Sequence, residues 1–439
     1  MIKNKNLANA SWIIGCKVVQ ALLGVIISML TARYLGPSSF GVINYAAAIV
    51  AFVAPITKLG LSHVLVQEIV YAPESEGKII GSSLTMSFIS SLLCIVGVIS
   101  FSMITNANEP ETVIVCSLYS ALLVAHALEL VQYWFQAKLI SKYTSIVSVV
   151  VYLLISLYKI VLLIANKSVY WFAVANAIDH LLIGFILLAI YRWKSKQKIS
   201  FSLEWAKKLF NKSKFFIVSS MMVTIFAQTD KIMIKFMIDD AATGIYSAAS
   251  ACAGMASFVF AAIIDSMRPT ILEHKKNESQ LYETNLCRLY SIIIYMALAQ
   301  SLAMTLFAKP IIWILYGTQY FASISVLSII VWQATFSYIG SVRNIWILAE
   351  EKHSYLWIIN LSGAITNVLL NLLLIPKWGV EGAAVASVVT QIFTNVIIGY
   401  IIKPIRGNNT IMLKSFNPSV LLGMIEQIIK KKADKNKHA

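Results

Sequence analysis

The chain has 439 residues, 58% of them apolar or aromatic (Ala, Val, Ile, Leu, Met, Phe, Trp, Tyr, Cys) and 13% charged, with a mean hydropathy of +0.75. Soluble domains are about half apolar and about a quarter charged, so this composition lacks the polar surface to cover a water-soluble globule. That excludes a soluble enzyme, a secreted disulfide scaffold and a disordered chain. The formal charge of +16 (36 Lys and Arg against 20 Asp and Glu) would suggest nucleic acid in a soluble protein. In a membrane protein it reports orientation instead. Cys16, Cys94, Cys116, Cys252 and Cys287 sit in or beside apolar runs without metal or disulfide spacing, and read as small apolar residues.

A bilayer core about 30 Å thick needs about 20 mostly apolar residues per helix. Twelve runs meet this in chain order: Ser11–Leu30, Phe40–Leu59, Ile79–Met103, Val113–Phe135, Tyr143–Ile164, Trp171–Tyr191, Phe215–Phe236, Gly244–Ile264, Leu286–Ala308, Phe321–Val342, Tyr355–Ile375 and Gly382–Ile402. They are too long and continuous for an outer-membrane barrel. The first is not a cleavable signal peptide, because Lys17 interrupts it and no small-residue cleavage site follows.

With a cytoplasmic N-terminus, 28 of the 36 basic residues fall on the cytoplasmic side, five (Arg33, Lys167, Lys235, Lys309, Lys377) outside, and three (Lys17, Lys159, Lys231) within spans. Both termini are therefore expected in the cytoplasm. This accounts for most of the charge excess and leaves no role for nucleic acid. Outer loops are short, so no external domain is available for chemistry. Phe201–Phe210 is expected to form a short interfacial helix capped by Ser202, with its lysines toward lipid headgroups. The tail from Asn417-Pro418 to Lys430-Lys431-Lys432 has the same pattern. A solvated linker and tail is the alternative for both.

The two halves echo each other. Gly41-Val42 and Ala46 match Gly244-Ile245 and Ala249 at a spacing of 203; Trp134, Ala137 and Tyr143 match Trp346, Ala349 and Tyr355 at 212; Val169, Ala173 and Ala175 match Val380, Ala384 and Ala386 at 211. The near-constant offset argues for duplication. The expected fold is an all-α polytopic membrane protein of twelve helices in two six-helix lobes, 1–195 and 215–403, related by a pseudo-two-fold axis along the membrane normal. A basic linker, 196–214, joins them, and 404–439 forms a basic tail. This is the architecture of alternating-access transporters.

Specific runs carry a family likeness. Arg33-Tyr34-Leu35-Gly36-Pro37-Ser38-Ser39-Phe40-Gly41, followed by Lys58-Leu59-Gly60-Leu61, resembles the opening of bacterial polysaccharide flippases of the multidrug/oligosaccharidyl-lipid/polysaccharide exporter superfamily. Asp230-Lys231-Ile232-Met233-Ile234, Lys309-Pro310-Ile311 through Tyr316-Gly317, and Ile375-Pro376-Lys377-Trp378-Gly379 through Ala386 resemble later segments of the same family, in order. The resemblance implies outward flipping of a polyprenyl-diphosphate-linked oligosaccharide across a bacterial cytoplasmic membrane, for O-antigen, capsule or related glycans. It also implies coupling to a proton or sodium gradient rather than a bound cofactor. A glycan polymerase and a chain-length regulator are the implied protein partners, beside the lipid-linked oligosaccharide and membrane lipids. A drug exporter of the same superfamily is the first alternative. A membrane glycan polymerase is the second, disfavoured because no large external loop exists. No nucleotide-binding or hydrolase motif is present, so no enzymatic activity is expected.

Charges inside spans are costly and are functional candidates by default. Lys17, about 9 Å into span one, either snorkels to headgroups or meets the diphosphate. Arg33, at the outer end of that span, either anchors at the interface or contacts substrate. Lys159 and Asp179 are expected either to pair or to line the outer cavity, with His180 turned about 100° away from Asp179. In span seven, Ser220, Thr224, Gln228, Lys231 and Lys235 recur at three- and four-residue spacing, placing them on one face that should line a cavity, with Asp230 at its flank. In span four, His126, Glu129, Gln132 or Tyr133, and Gln136 form a second stripe. Glu129 with His126 is the candidate for ion coupling, against a buried hydrogen-bonded pair. Arg268 and Arg343 read as helix-end anchors that could also guide substrate, Pro55 as a kink, and the serines from Ser82 to Ser91 as a close-packing face.

Overall fold

The computed structural model describes residues 2–277, 279–421 and 423, with side chains described for 19–21, 23–275, 280–421 and 423. All secondary structure among them is helical, because in hydrocarbon a helix satisfies its backbone groups within one segment. The first part of the chain forms α1 (Ile2–Thr57), α2 (Leu65–Tyr71), α3 (Glu76–Thr105), α4 (Pro110–Ser120), α5 (Leu122–Leu128), a 3-10 turn (Glu129–Val131), α6 (Gln132–Ala137), α7 (Lys142–Ile164), α8 (Val169–Lys194) and α9 (Leu203–Met237). Then come α10 (Asp240–Gly254), α11 (Ser257–Asn277), α12 (Ser279–Leu306), α13 (Ala308–Tyr316), α14 (Ser323–Ala349), α15 (Leu356–Ile392), a π-helical turn (Phe393–Ile397), α16 (Ile398–Ile401) and α17 (Arg406–Ser415). The chain divides into two compact units, Met1–Ser247 and Ala248–Ala439.

Among the described residues ten helical segments are long and apolar enough to cross a bilayer, where the hydropathy runs suggest twelve. The difference has a local cause. Helix α1 joins the first two runs, and α15 joins the last two. Each continuous segment contains one residue outside helical geometry: Gly36 (φ 72°, ψ 173°), beside Pro37, and Gly379 (φ 59°, ψ −134°), after Pro376. Glycine alone takes these dihedrals cheaply. The break in α1 thus lies at Gly36, and the helix runs through Pro55 to Thr57.

The segment 201–210 also differs from expectation. Ser202 caps it, accepting from Trp205 N at 3.5 Å, but the helix does not stop at Phe210. It continues to Met237 as one 35-residue helix, about 52 Å at 1.5 Å per residue. No Gly or Pro interrupts Asn211–Lys214, and Lys208 and Lys212 both pair with buried Glu68 of α2. The expected tail helix lies outside the described residues beyond Gly423.

In the first unit, the apolar core forms on the second half of α1 with α4, α5, α7 and α8, and a second cluster joins α2, α3, α6 and the ends of α8 and α9. Serines of α3 tie helices together: Ser87 and Ser90 donate to Thr57 O and Ile56 O at the end of α1, and Ser91 donates to Leu123 O. The stretch before α9 lies along the first turns of α3. Ser200 N donates to Gly77 O, and a Cβ at Gly81 would stand 2.2 Å from Ser200 O. Helices α1 and α10 cross equally closely, with Gly41 and Gly244, which match in the sequence repeat, facing each other. A Cβ on Gly41 would reach 1.8 Å from Asp240 O, and one on Gly244 would reach 2.0 Å from Pro37 O. The second unit packs α11, α12, α14, α15 and α17 around one apolar core.

Candidate functional site

Within the first unit, the late turns of α1 and the middle of α9 enclose a cavity of about 560 Å³, with α4 and α5 closing one side. On α1 its wall is made of residues recurring at three or four positions (Ala47, Val50 and Ala51, Ala54, Lys58), so small side chains leave the space and a lysine ends it. On α9 the wall is Ser220, Thr224, Gln228 and Lys231 with Val223 and Ala227 between them, and His126 lies opposite. Lys58 stands in the turn closing α1, where a cation meets the negative end of the helix dipole. Ser220 and Lys231 are eleven positions apart on α9, roughly 16 Å by helix rise. The cavity is therefore a long slot, apolar along α1 and largely polar along α9, with a lysine on each flank.

Behind the slot lies an acid-base cluster. The 3-10 turn at Glu129 breaks span four and turns its carboxylate toward α8 and the end of α1. Glu129 Oε1 is 2.6 Å from His180 Nδ1, and Oε2 is 3.9 Å from Lys58 Nζ. The His126 ring lies edge-on to His180, centroids 6.0 Å apart. Glu129 is set back from the slot, and Lys58 connects the two. Neither Lys58 nor His180 is a site candidate in the sequence: Lys58 belongs to the run Lys58-Leu59-Gly60-Leu61 and counts among the cytoplasmic-side charges, and His180 reads as a neighbour pointing away from Asp179. The small-residue face of α1 leading to Lys58 was the available signal. The His180 contact depends on how α8 packs against span four, which no local pattern encodes.

Other singled-out residues lie elsewhere. Lys159 does not pair with Asp179: its Nζ donates to Asn176 Oδ1 at 2.7 Å, one turn along α8. Asp179 is buried, with Oδ1 lacking a hydrogen-bond partner. Asp230 accepts from Tyr246. Lys235 shares the stripe by spacing, but its buried ammonium is held at 2.5 Å by both Glu109 and Asp240, at the end of the unit away from Lys58. Arg33 is exposed near Gly36, and the Lys17 side chain lies outside the described residues. On the other face of α1 an apolar groove of about 580 Å³ runs between Ile49, Phe52, Val53, Leu93, Gly97 and Ile232. Among the described residues no group of three or more His, Cys, Asp or Glu is placed to hold a metal ion.

The charged groups outside the spans have clear causes. Burial pushes the Glu68 carboxyl up, but hydrogen bonds and charges from Lys212 and Lys208 outweigh it and hold it below the usual carboxylate value of 4.5. The hydrogen bond from Lys235 holds Glu109 below the same value, against a smaller opposing effect of burial.

A family model described as polysaccharide biosynthesis protein matches residues 6–275, more than half of the sequence. The chain belongs to this family. Among curated proteins it is 25% identical over 237 residues to an uncharacterized membrane protein of Methanocaldococcus jannaschii. That match covers 50% of this chain and 46% of the relative, so the chain spans about half the length of the relative it matches. Among solved structures it is similar to the lipid II flippase MurJ in an inward closed conformation (TM-score 0.70, 15% identity, 91% of this chain and 90% of that one). It is also similar to an inward-facing multidrug resistance MATE transporter of the MOP superfamily (TM-score 0.64, 13% identity, 91% and 96%). A MOP-superfamily transporter of Pyrococcus furiosus, described as having a binding pocket of reversed polarity, superposes with a TM-score of 0.55 at 13% identity over 92% and 95%. At these identities the likeness establishes the fold. The chain is a multi-pass membrane protein with the architecture of MOP-superfamily transporters.

Proposed function

We propose that the protein is a flippase that moves a polyprenyl-diphosphate-linked oligosaccharide from the cytoplasmic to the outer leaflet by alternating access, for a surface polysaccharide. The observation that carries this reading is the slot with Lys58 on one wall and Lys231 on the other, lined between them by hydroxyl, amide and imidazole groups. Its cations suit a diphosphate, and its neutral polar groups suit sugars that cannot cross hydrocarbon unaided. In this reading Gly36 and Gly379 divide α1 and α15 into two spans each, which gives twelve crossings in two six-helix lobes with both termini in the cytoplasm of a bacterium. Glu129, bonded to His180 and reaching Lys58, is the group through which a proton or sodium gradient acts on the slot. The rival use of the fold is export of cationic drugs, which needs carboxylates in the cavity; here the lining charges are lysines and the nearest carboxylate is set back.

The test is the leaflet distribution of lipid-linked oligosaccharide in cells lacking the chain. Accumulation in the inner leaflet, restored by the wild-type chain and not by K58A/K231A, supports the reading. Normal outward distribution without the chain overturns it. Resistance to cationic drugs lost on deletion, with glycan display intact, would favour the rival.

A further inference from the structure

In the second unit, Arg343 of α14 is 6% exposed and has no carboxylate partner among the described residues. Its Nη1 donates to Thr394 O at 2.6 Å, in the π-helical turn that follows α15. A π turn is a widened, locally rearranged stretch of backbone that recurs at functional sites. Asn395, in the same turn, nests against Gly340, where a Cβ would stand 2.1 Å from Asn395 Oδ1. The opposite edge of the guanidinium is the informative one. Nη2 donates to Asn344 Oδ1 at 3.2 Å, and Nε is buried without any partner.

Nε and Nη2 form the side-on fork with which arginine takes two oxygens of one oxyanion. Here one tine rests on a neutral amide oxygen and the other is empty. Asn344 is exposed, so its amide can swing aside without disturbing the core. It stands on a stripe of Gln333, Ser337, Ser341 and Asn344, at spacings of four, four and three, all half-buried or exposed. Lipid would penalise such a stripe within a span, so this face of α14 is turned away from lipid. Arg343 is six residues from the end of α14, about 9 Å by helix rise. That end carries Glu350 paired with Lys275.

We propose that the Nε and Nη2 edge of Arg343 is an oxyanion site that takes a phosphate-ester group, with Asn344 covering it when empty. It deepens the flippase reading: the ester is then a phosphate of the lipid-linked substrate. The same chemistry could come from a membrane phospholipid headgroup or from free phosphate.

The experiment is titration of the full chain, purified in a neutral detergent, with farnesyl diphosphate, inorganic phosphate and, in nanodiscs, phosphatidylglycerol against phosphatidylcholine. Wild type binds farnesyl diphosphate. R343Q weakens this at least tenfold, R343K weakens it less because it keeps the charge and loses the fork, and N344A strengthens it by removing the competing amide. N344A changes an exposed side chain and leaves the core intact, so the inference stays testable if R343Q fails to fold. Competition by inorganic phosphate alone assigns the site to the phosphate group, and abolition by phosphatidylglycerol assigns it to the headgroup; both keep the oxyanion site. Equal affinity in wild type, R343K and N344A overturns it. Loss of binding in K58Q/K231Q with R343Q unaffected overturns the Arg343 site and leaves the flippase reading standing. Arg343-dependent binding in a chain whose deletion leaves leaflet distribution normal does the reverse.

Discussion

Lys235 separates a structural role from a transport role more sharply than any other residue in the stripe on α9. Its side chain is 4% exposed and bonded to Glu109 and Asp240, which are 46% and 18% exposed. The perturbation is K235M, which keeps the length and removes the charge. Deleting one partner of a buried pair typically costs 3–5 kcal/mol, because the other charge stays buried. Glu109, nearly half exposed, recovers water when released, whereas Asp240 already has one carboxylate oxygen buried without a partner. The loss is therefore placed at the low end, about 3 kcal/mol. For a unit of this size that lowers the melting temperature by about 6–12 °C. The assay is tryptophan-fluorescence melting of the purified chain, together with K235M/D240N. Removing the stranded carboxylate should recover about 2 kcal/mol of the loss. A K235M chain that melts within 2 °C of wild type yet no longer transports would refute the reasoning and return Lys235 to the cavity (the threshold is the low end of the shift expected for about 1 kcal/mol).

Further expectations follow from the same contacts. Glu68 and Glu109 titrate below the usual carboxylate value of 4.5, so the stability they contribute is complete above it and disappears as pH falls through their lowered values. Acid unfolding followed from pH 7 to 3 should lose part of its slope in E68Q. G41A drives a Cβ into Asp240 O and should destabilise by about 1–3 kcal/mol. G97A is the control, since nothing lies within 4 Å of its added carbon; equal melting of the two would contradict the crossing of α1 and α10. E129Q should abolish the response of transport to an imposed proton or sodium gradient, and an unchanged response removes Glu129 from coupling.

Several features were legible because they depend on composition and period alone. Long apolar runs mark where backbone must be helical, since hydrocarbon offers no other partner for N–H and C=O. The three- and four-residue spacing of Ser220, Thr224, Gln228 and Lys231 fixed one face of α9, and those residues line the slot. Continuity between neighbouring elements was not legible: a hydropathy run shows apolar residues, not whether Gly36 turns the chain or Asn211–Lys214 carries it straight on.

By itself, then, the sequence determined that the chain is a helical membrane protein, which residues share a helical face, and where its basic residues gather. Those are consequences of hydrophobicity, the 3.6-residue repeat and the loop charges. Only the tertiary structure decided partnership. Lys235 and Lys231 lie four residues apart on one helix, yet one is locked between two carboxylates and the other borders the slot. Lys159 chose Asn176 over Asp179, and His180 found Glu129 across 51 positions of sequence. The cost of a charge in a membrane depends on what stands within a few ångströms of it, and that is set by packing between helices distant in the chain.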